Sequence, residues 1–135
     1  MQKIVRNTIA IIPARGGSKR IPNKNIKLFF GMPILGRTIL KLKKTKLFKD
    51  IYVSTDSKKI AKIAKKYGAK VAYRNHKLAD DKSMLKEVCR DFILNYNTKK
   101  NDFKFLCILL ATSPFRNFKD IKKVISLIEP NKCDF

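Results

Sequence analysis

Short apolar runs alternate with stretches whose apolar residues recur at helical spacing, and this alternation continues along the 135-residue chain. Thr8–Pro13 reads as a first strand. Pro33 then opens a helix with Ile34, Leu35, Ile39, Leu40 and Leu42 on its apolar side, reaching to about Lys46. Asp50–Thr55 predicts a second strand. Ile60, Ala61, Ile63, Ala64 and Tyr67 follow the 3.6 period of a second helix, with Gly68 where a left-handed C-cap belongs. Ala69–Tyr73 is a short third strand. Ser83 is placed to cap a helix whose stripe is Met84, Leu85, Val88, Cys89, Phe92, Ile93 and Tyr96. Phe105–Leu110 is continuously apolar, as expected of a central strand buried on both faces. Asn117 can cap a last helix carrying Phe118, Ile121, Val124, Ile125 and Ile128, which Pro130 closes. Cys133, Asp134 and Phe135 resemble the onset of another strand, so the simplest expectation is the N-terminal part of a longer protein.

This β-α-β-α-β-α-β-α order predicts an α/β domain with a mostly parallel sheet covered by helices on both faces. In such sheets ligands bind beyond the carboxyl ends of the strands. The polar clusters fall there: Arg15–Asn25, then Ser54, Thr55 and Asp56, then Arg74–Asp81, then Thr112, Ser113 and Pro114. Convergence of these loops on one rim is the main physical argument for a nucleotide site. Asp56 is also placed simply to cap the helix beside it.

The length suits one domain with a real core, and 44% hydrophobic residues support a globular fold. The net charge of +22, from 32 Lys+Arg against 10 Asp+Glu, suggests polyanionic partners. Most of it has a compositional account, because Lys, Ile, Asn and Phe are abundant together and the lysines are spread over several helices. The cluster Arg15, Lys19, Arg20 and Lys24 is different, since it surrounds Gly16 and Gly17 directly after a strand. Glycines let backbone N–H groups approach a phosphate, and basic side chains neutralise it. The loop has neither G-x-x-x-x-G-K-[ST] nor G-x-G-x-x-G. A basic nucleic-acid-binding module is the competing class, but no RNP-like or helix-turn-helix pattern accompanies the charge.

Cys89, Cys107 and Cys133 are far apart in apolar contexts and read as reduced core residues. His76, on a polar loop, has no partner pattern for catalysis. The apolar runs are too short to span a bilayer and no signal-peptide core precedes the first strand, so a cytoplasmic protein with no membrane partner is expected.

ARGGSKRIPNKN at 14–25, VSTDS at 53–57, KYGA at 66–69, LADD at 78–81 and TSPFR at 112–116 resemble, in order and spacing, the bacterial acylneuraminate cytidylyltransferases. The first motif is the specific one. The resemblance runs over the whole chain but covers only the N-terminal half, or slightly more, of the family domain. It implies a Rossmann-like three-layer nucleotidyltransferase domain that activates nonulosonic acids as CMP-sugars for surface glycans. The implied reaction uses CTP, a nonulosonic acid and Mg²⁺, and releases pyrophosphate. No nucleic-acid partner is implied, and the full-length form is expected to be a homodimer.

Carried over by position, the resemblance implies catalytic roles for Lys24 and Arg15. It implies substrate contacts from Ala14, Gly16, Gly17, Ser18, Asn25, Arg74, Thr112 and Ser113. Lys19 and Arg20 are expected to be solvated surface residues. The family's paired metal-binding aspartates would lie beyond residue 135, so no metal ligand is assigned and the 135 residues alone are expected to turn over poorly. Leu110 and Ala111 stand where sialate-type members have Gln-Pro, a departure nearer to the pseudaminate type. Met84 and Leu85 stand where many members have small hydroxyl residues. Kdo cytidylyltransferases typically carry Lys-Pro at Lys24-Asn25, which favours the nonulosonate branch. A relative that binds nucleotide without catalysis is a further alternative.

Overall fold

A computed structural model describes residues 7–17, 23–74, 85–96, 103–112 and 117–127. Its main sheet contains β1 (Thr8–Pro13), β4 (Asp50–Thr55), β5 (Lys70–Tyr73) and β6 (Phe105–Ile108). A small antiparallel ribbon, β2 (Leu28–Phe29) with β3 (Met32–Pro33), lies between β1 and the first helix. The helices are α1 (Ile34–Thr45), α2 (Lys58–Lys66), α3 (Leu85–Tyr96) and α4 (Phe118–Leu127).

The main sheet is parallel throughout its described strands, in the order β5-β4-β1-β6. Strand alternation sends its residues into two cores. Ala10, Ile12, Ile51 and Val53 pack with Leu35 and Ile39 of α1, Ile60 and Ala64 of α2, and Ile121 and Ile125 of α4. On the opposite face Ile9, Ile11, Tyr52 and Ala72 pack with Val88 and Phe92 of α3. There the Tyr52 and Phe92 rings meet edge to face at 5.0 Å, and Phe92 stacks on Tyr96 at 5.0 Å. The expected three-layer α/β architecture is therefore present. From β1 the chain builds outward through β4 to β5, then returns to place β6 on the other side of β1. The strand order thus switches direction between β1 and β6, which opens a crevice beyond their carboxyl ends.

Local rules explain most element ends. Ser57 caps α2 by accepting a hydrogen bond from Ile60 N at 3.3 Å. Gly68, at φ +89°, ends it as expected: Gly68 N donates to Lys65 O and Ala69 N to Ala64 O, the paired bonds of a Schellman motif. Asn117 accepts from Lys119 N at 3.0 Å at the start of α4.

Several expectations change. The hairpin was not expected from the pattern; its turn places both Phe30 (φ 50°) and Gly31 (φ 76°) in the left-handed region that primed hairpin turns require. In the described sheet β6 is an edge strand, and Ile108 and Leu110 are 40% and 47% exposed, not buried on both faces. The α3 and α4 stripes are only partly covered, since Leu85, Ile93 and Val124 are exposed. Cys89 and Cys107 are half-buried and are not joined in a disulfide. Ser83, Met84, Ile128, Pro130 and Cys133 lie outside the described residues.

Candidate functional site

The carboxyl end of β1 continues without a break into the first polar loop. Ala14 is buried and extends the ladder, its N–H donating to Ser54 O of β4 at 2.9 Å. Gly16 N then donates to Asp56 Oδ1 at 2.9 Å, tying the loop to the end of β4. A Cβ at Gly16 would come within 3.0 Å of the Ser57 Cβ, so glycine here permits that close approach. Gly17 differs: it is exposed, its φ is not positive, and an added Cβ would meet no described atom within 4 Å. Nothing in the described packing requires glycine there, and the space stays open to a molecule outside the chain.

The loop returns through Asn23, in the left-handed region at φ 54°, into a single 3₁₀ turn, Lys24–Ile26. Ile26 N closes the turn on Asn23 O at 3.0 Å. Asn25 is buried and its Nδ2 donates to Arg15 O at 3.2 Å. Its amide braces the loop from within, at the Arg15 carbonyl. Lys24 stands exposed beside it. One short turn thus carries a solvent-facing ammonium and the buried amide that anchors it.

Arg74 follows β5, its N–H donating to Thr55 O at 3.1 Å as a continuation of the β4–β5 ladder. Burial pushes its guanidinium below arginine's ordinary value; the Asp56 carboxylate pushes it back up, and the charge of Arg15 pushes it down. Arginine remains protonated at neutral pH under such a shift. The Gly16 N–Asp56 Oδ1 and Arg74 N–Thr55 O bonds join the three loops that carry Arg15, Asp56 and Arg74. At the far side of the crevice, Thr38 of α1 donates from Oγ1 to Ala111 O at 3.0 Å in the buried interior. Leu109 N reaches Ile11 O at 3.0 Å. These bonds fix the segment that ends in half-buried Thr112.

The structure brings Ala14, Arg15, Gly16, Asn25 and Arg74 into one network and puts Thr112 after the neighbouring strand. Ser18, Lys19, Arg20, His76, the LADD segment and Ser113 lie outside the described residues. Asp56 and Thr38 are the contributors that the pattern did not single out. For Asp56 the signal was its place at the strand end, obscured by Ser57, which does the capping. Such a rim offers fixed cations and open space to a polyanion. Among the described residues no group of three or more His, Cys, Asp or Glu side chains is placed to hold a metal ion. Asp56 is already engaged by Gly16 N–H, so these residues do not by themselves fit a resident Mg²⁺.

Residues 9–134 match the family model described as cytidylyltransferase. This chain belongs to the cytidylyltransferase family. It is 38% identical over 120 residues to the CMP-N,N'-diacetyllegionaminic acid synthase of Legionella pneumophila, covering 88% of this chain and 52% of that protein. It is 39% identical to a pseudaminic acid cytidylyltransferase of Campylobacter jejuni, covering 85% of this chain and 50% of the relative. Among solved structures, a cytidylyltransferase from Leptospira borgpetersenii superposes with a TM-score of 0.74 at 27% identity, over 93% of this chain and 50% of that one. The chain spans about half the length of the curated relatives it matches. Within the family, the resemblance to CMP-nonulosonate synthetases inferred from the first motif is borne out by these relatives. No described helix is long and apolar enough to cross a membrane.

Proposed function

We propose that this chain carries the nucleotide-binding part of an enzyme that transfers CMP from CTP to a nonulosonic acid (sialic, pseudaminic or legionaminic). In that reaction a sugar hydroxyl oxygen bonds to the α-phosphorus, the bond between the α-phosphorus and its bridging oxygen breaks, and pyrophosphate leaves. The observation that carries the proposal is that the loops after β1, β4 and β5 meet at the carboxyl end of a parallel sheet, joined by the Gly16 N–Asp56 Oδ1 and Arg74 N–Thr55 O bonds, and bring Arg15 and Arg74 to that rim. Nucleotidyl transfer needs positioning and charge stabilisation more than covalent chemistry, and a braced cationic rim supplies both. Lys24 acts as a point charge on one phosphate oxygen, while Arg15 and Arg74 can bridge two. Ala14, Gly16 and Gly17 belong to the phosphate loop and Thr112 to the sugar side, and the resemblance adds Ser18 and Ser113, which lie outside the described residues.

The relatives' names support the nonulosonic substrate class. Mg²⁺ belongs to the proposal as a partner of the nucleotide, with resident ligands sought outside the described residues. A cytoplasmic location and a homodimeric full-length form complete it.

The test has two parts. Calorimetric titration with CTP should show saturable binding to the chain. Pyrophosphate release is then followed with CTP, Mg²⁺ and pseudaminate, legionaminate or N-acetylneuraminate, in the chain and in any longer product of the same gene. Release only with Kdo would reassign the substrate. No binding and no release with any sugar would overturn the proposal.

A further inference from the structure

We infer that Asp56 is a positioning residue of the nucleotide site, holding the phosphate loop in its binding shape through the Gly16 N–H. The inference rests on the cytidylyltransferase function proposed above. Asp56 is not spent on the helix beside it, because Ser57 Oγ already accepts the capping bond from Ile60 N. It accepts instead from Gly16 N, 40 residues away in sequence, across the gap between the loops that follow β1 and β4. That bond is made where Gly16 presses against Ser57, so the loop is pinned at its point of closest approach to β4.

The pinning has consequences on both sides of Gly16. Arg15 immediately precedes it, its carbonyl held by Asn25, so the Arg15 backbone is clamped between two hydrogen bonds. Gly17 immediately follows, facing open space. Because Asp56 takes the Gly16 N–H, that donor is not the one presented to an anion; its bond instead fixes the direction in which the next peptides point. The carboxylate also faces Arg74 and offsets the repulsion between the two arginines before a nucleotide arrives. Residues 14–27 contain no acidic side chain, so this counter-charge has to come from another loop.

Asp56→Asn keeps an oxygen that can accept from Gly16 N, while Asp56→Ala removes it. The chain is titrated with CTP as wild type and as both variants, with thermal unfolding and exchange of the Gly16 amide recorded alongside. Asp56→Ala should weaken CTP binding about tenfold and release the Gly16 amide to fast exchange, at nearly unchanged melting temperature. Asp56→Asn should restore both to within about threefold of wild type. Wild-type affinity in the alanine variant, or an asparagine variant as weak as alanine, overturns the inference while the nucleotide function stands. Failure of the wild type to bind CTP, together with no pyrophosphate release with any sugar, overturns the function itself. The Gly16 amide would then still report whether Asp56 holds the loop.

Discussion

The two ends of the parallel sheet both carry positive charge, and they use it differently. At the carboxyl end Arg15 and Arg74 stand on separate loops, braced by Asn25 and the β4–β5 ladder and offset by Asp56. At the amino end, Lys43, Lys46 and Lys49 border a cavity of about 370 Å³ floored by Leu42, Phe48 and Ile51. Asp50, also in that wall, pairs with Lys70 at 2.9 Å. The cavity is roomy and cationic, but it lies at the C-terminus of α1, where unsatisfied carbonyls present partial negative charge. Lysines there complement the helix; an anion would meet the wrong end of the dipole. Charge alone, even at +22, does not make a phosphate site. At the carboxyl end, by contrast, the backbone that carries Arg15 and Arg74 is fixed by hydrogen bonds from several loops.

Removing the half-buried cation of Arg74 should give the largest effect. Arg74→Ala is expected to weaken CTP binding by roughly thirtyfold, the loss typical of a charge-assisted contact. An effect below twofold, measured by calorimetry, would put the rim no higher than the lysine cavity. Next, Thr38→Val leaves the buried Ala111 carbonyl without its hydroxyl donor. Denaturant unfolding should show a loss of about 1–2 kcal/mol.

Lys70→Met tests the amino end and should cost less than about 1 kcal/mol, because the Lys70 side chain is more than half exposed. Its pH dependence has a definite sign. The hydrogen bond to Asp50 raises Lys70 above its ordinary value of 10.5, so the pair's contribution is complete below that value. It disappears as pH climbs through the raised one, and wild type and variant should converge there. The smallest change in nucleotide affinity is expected from Lys43→Ala with Lys46→Ala. CTP affinity should stay within about twofold, while non-specific polyanion binding loses salt dependence.

The parallel order of strands and helices was legible because β1 and β4 alternate cleanly into two cores and α2 carries its C-terminal glycine, Gly68, in sequence. The hairpin was not, since two-residue strands leave no period and its turn relies on Phe30 adopting a conformation that a bulky residue seldom signals. Phe105–Leu110 showed its apolarity but not its place. A continuous run reports burial tendency, whereas edge position depends on which strands pair with it. In the site, residue types identified Arg15 and Arg74 as candidates, yet the partnerships were hidden. Asp56 and Ser57 are adjacent acceptors, and only three dimensions show which one caps the helix and which crosses to Gly16. Asn25 likewise turned inward because the 3₁₀ turn aims it at the Arg15 carbonyl.

The most direct measurement is the map of backbone amide shifts as CTP is added to the isotopically labelled chain. The braced-rim account predicts saturable shifts concentrated at Gly16, Gly17, Asn25, Arg74 and Thr112, with Lys43–Ile51 unmoved. Shifts centred on Lys43, Lys46 and Lys49, or spread evenly over the lysines, would contradict it.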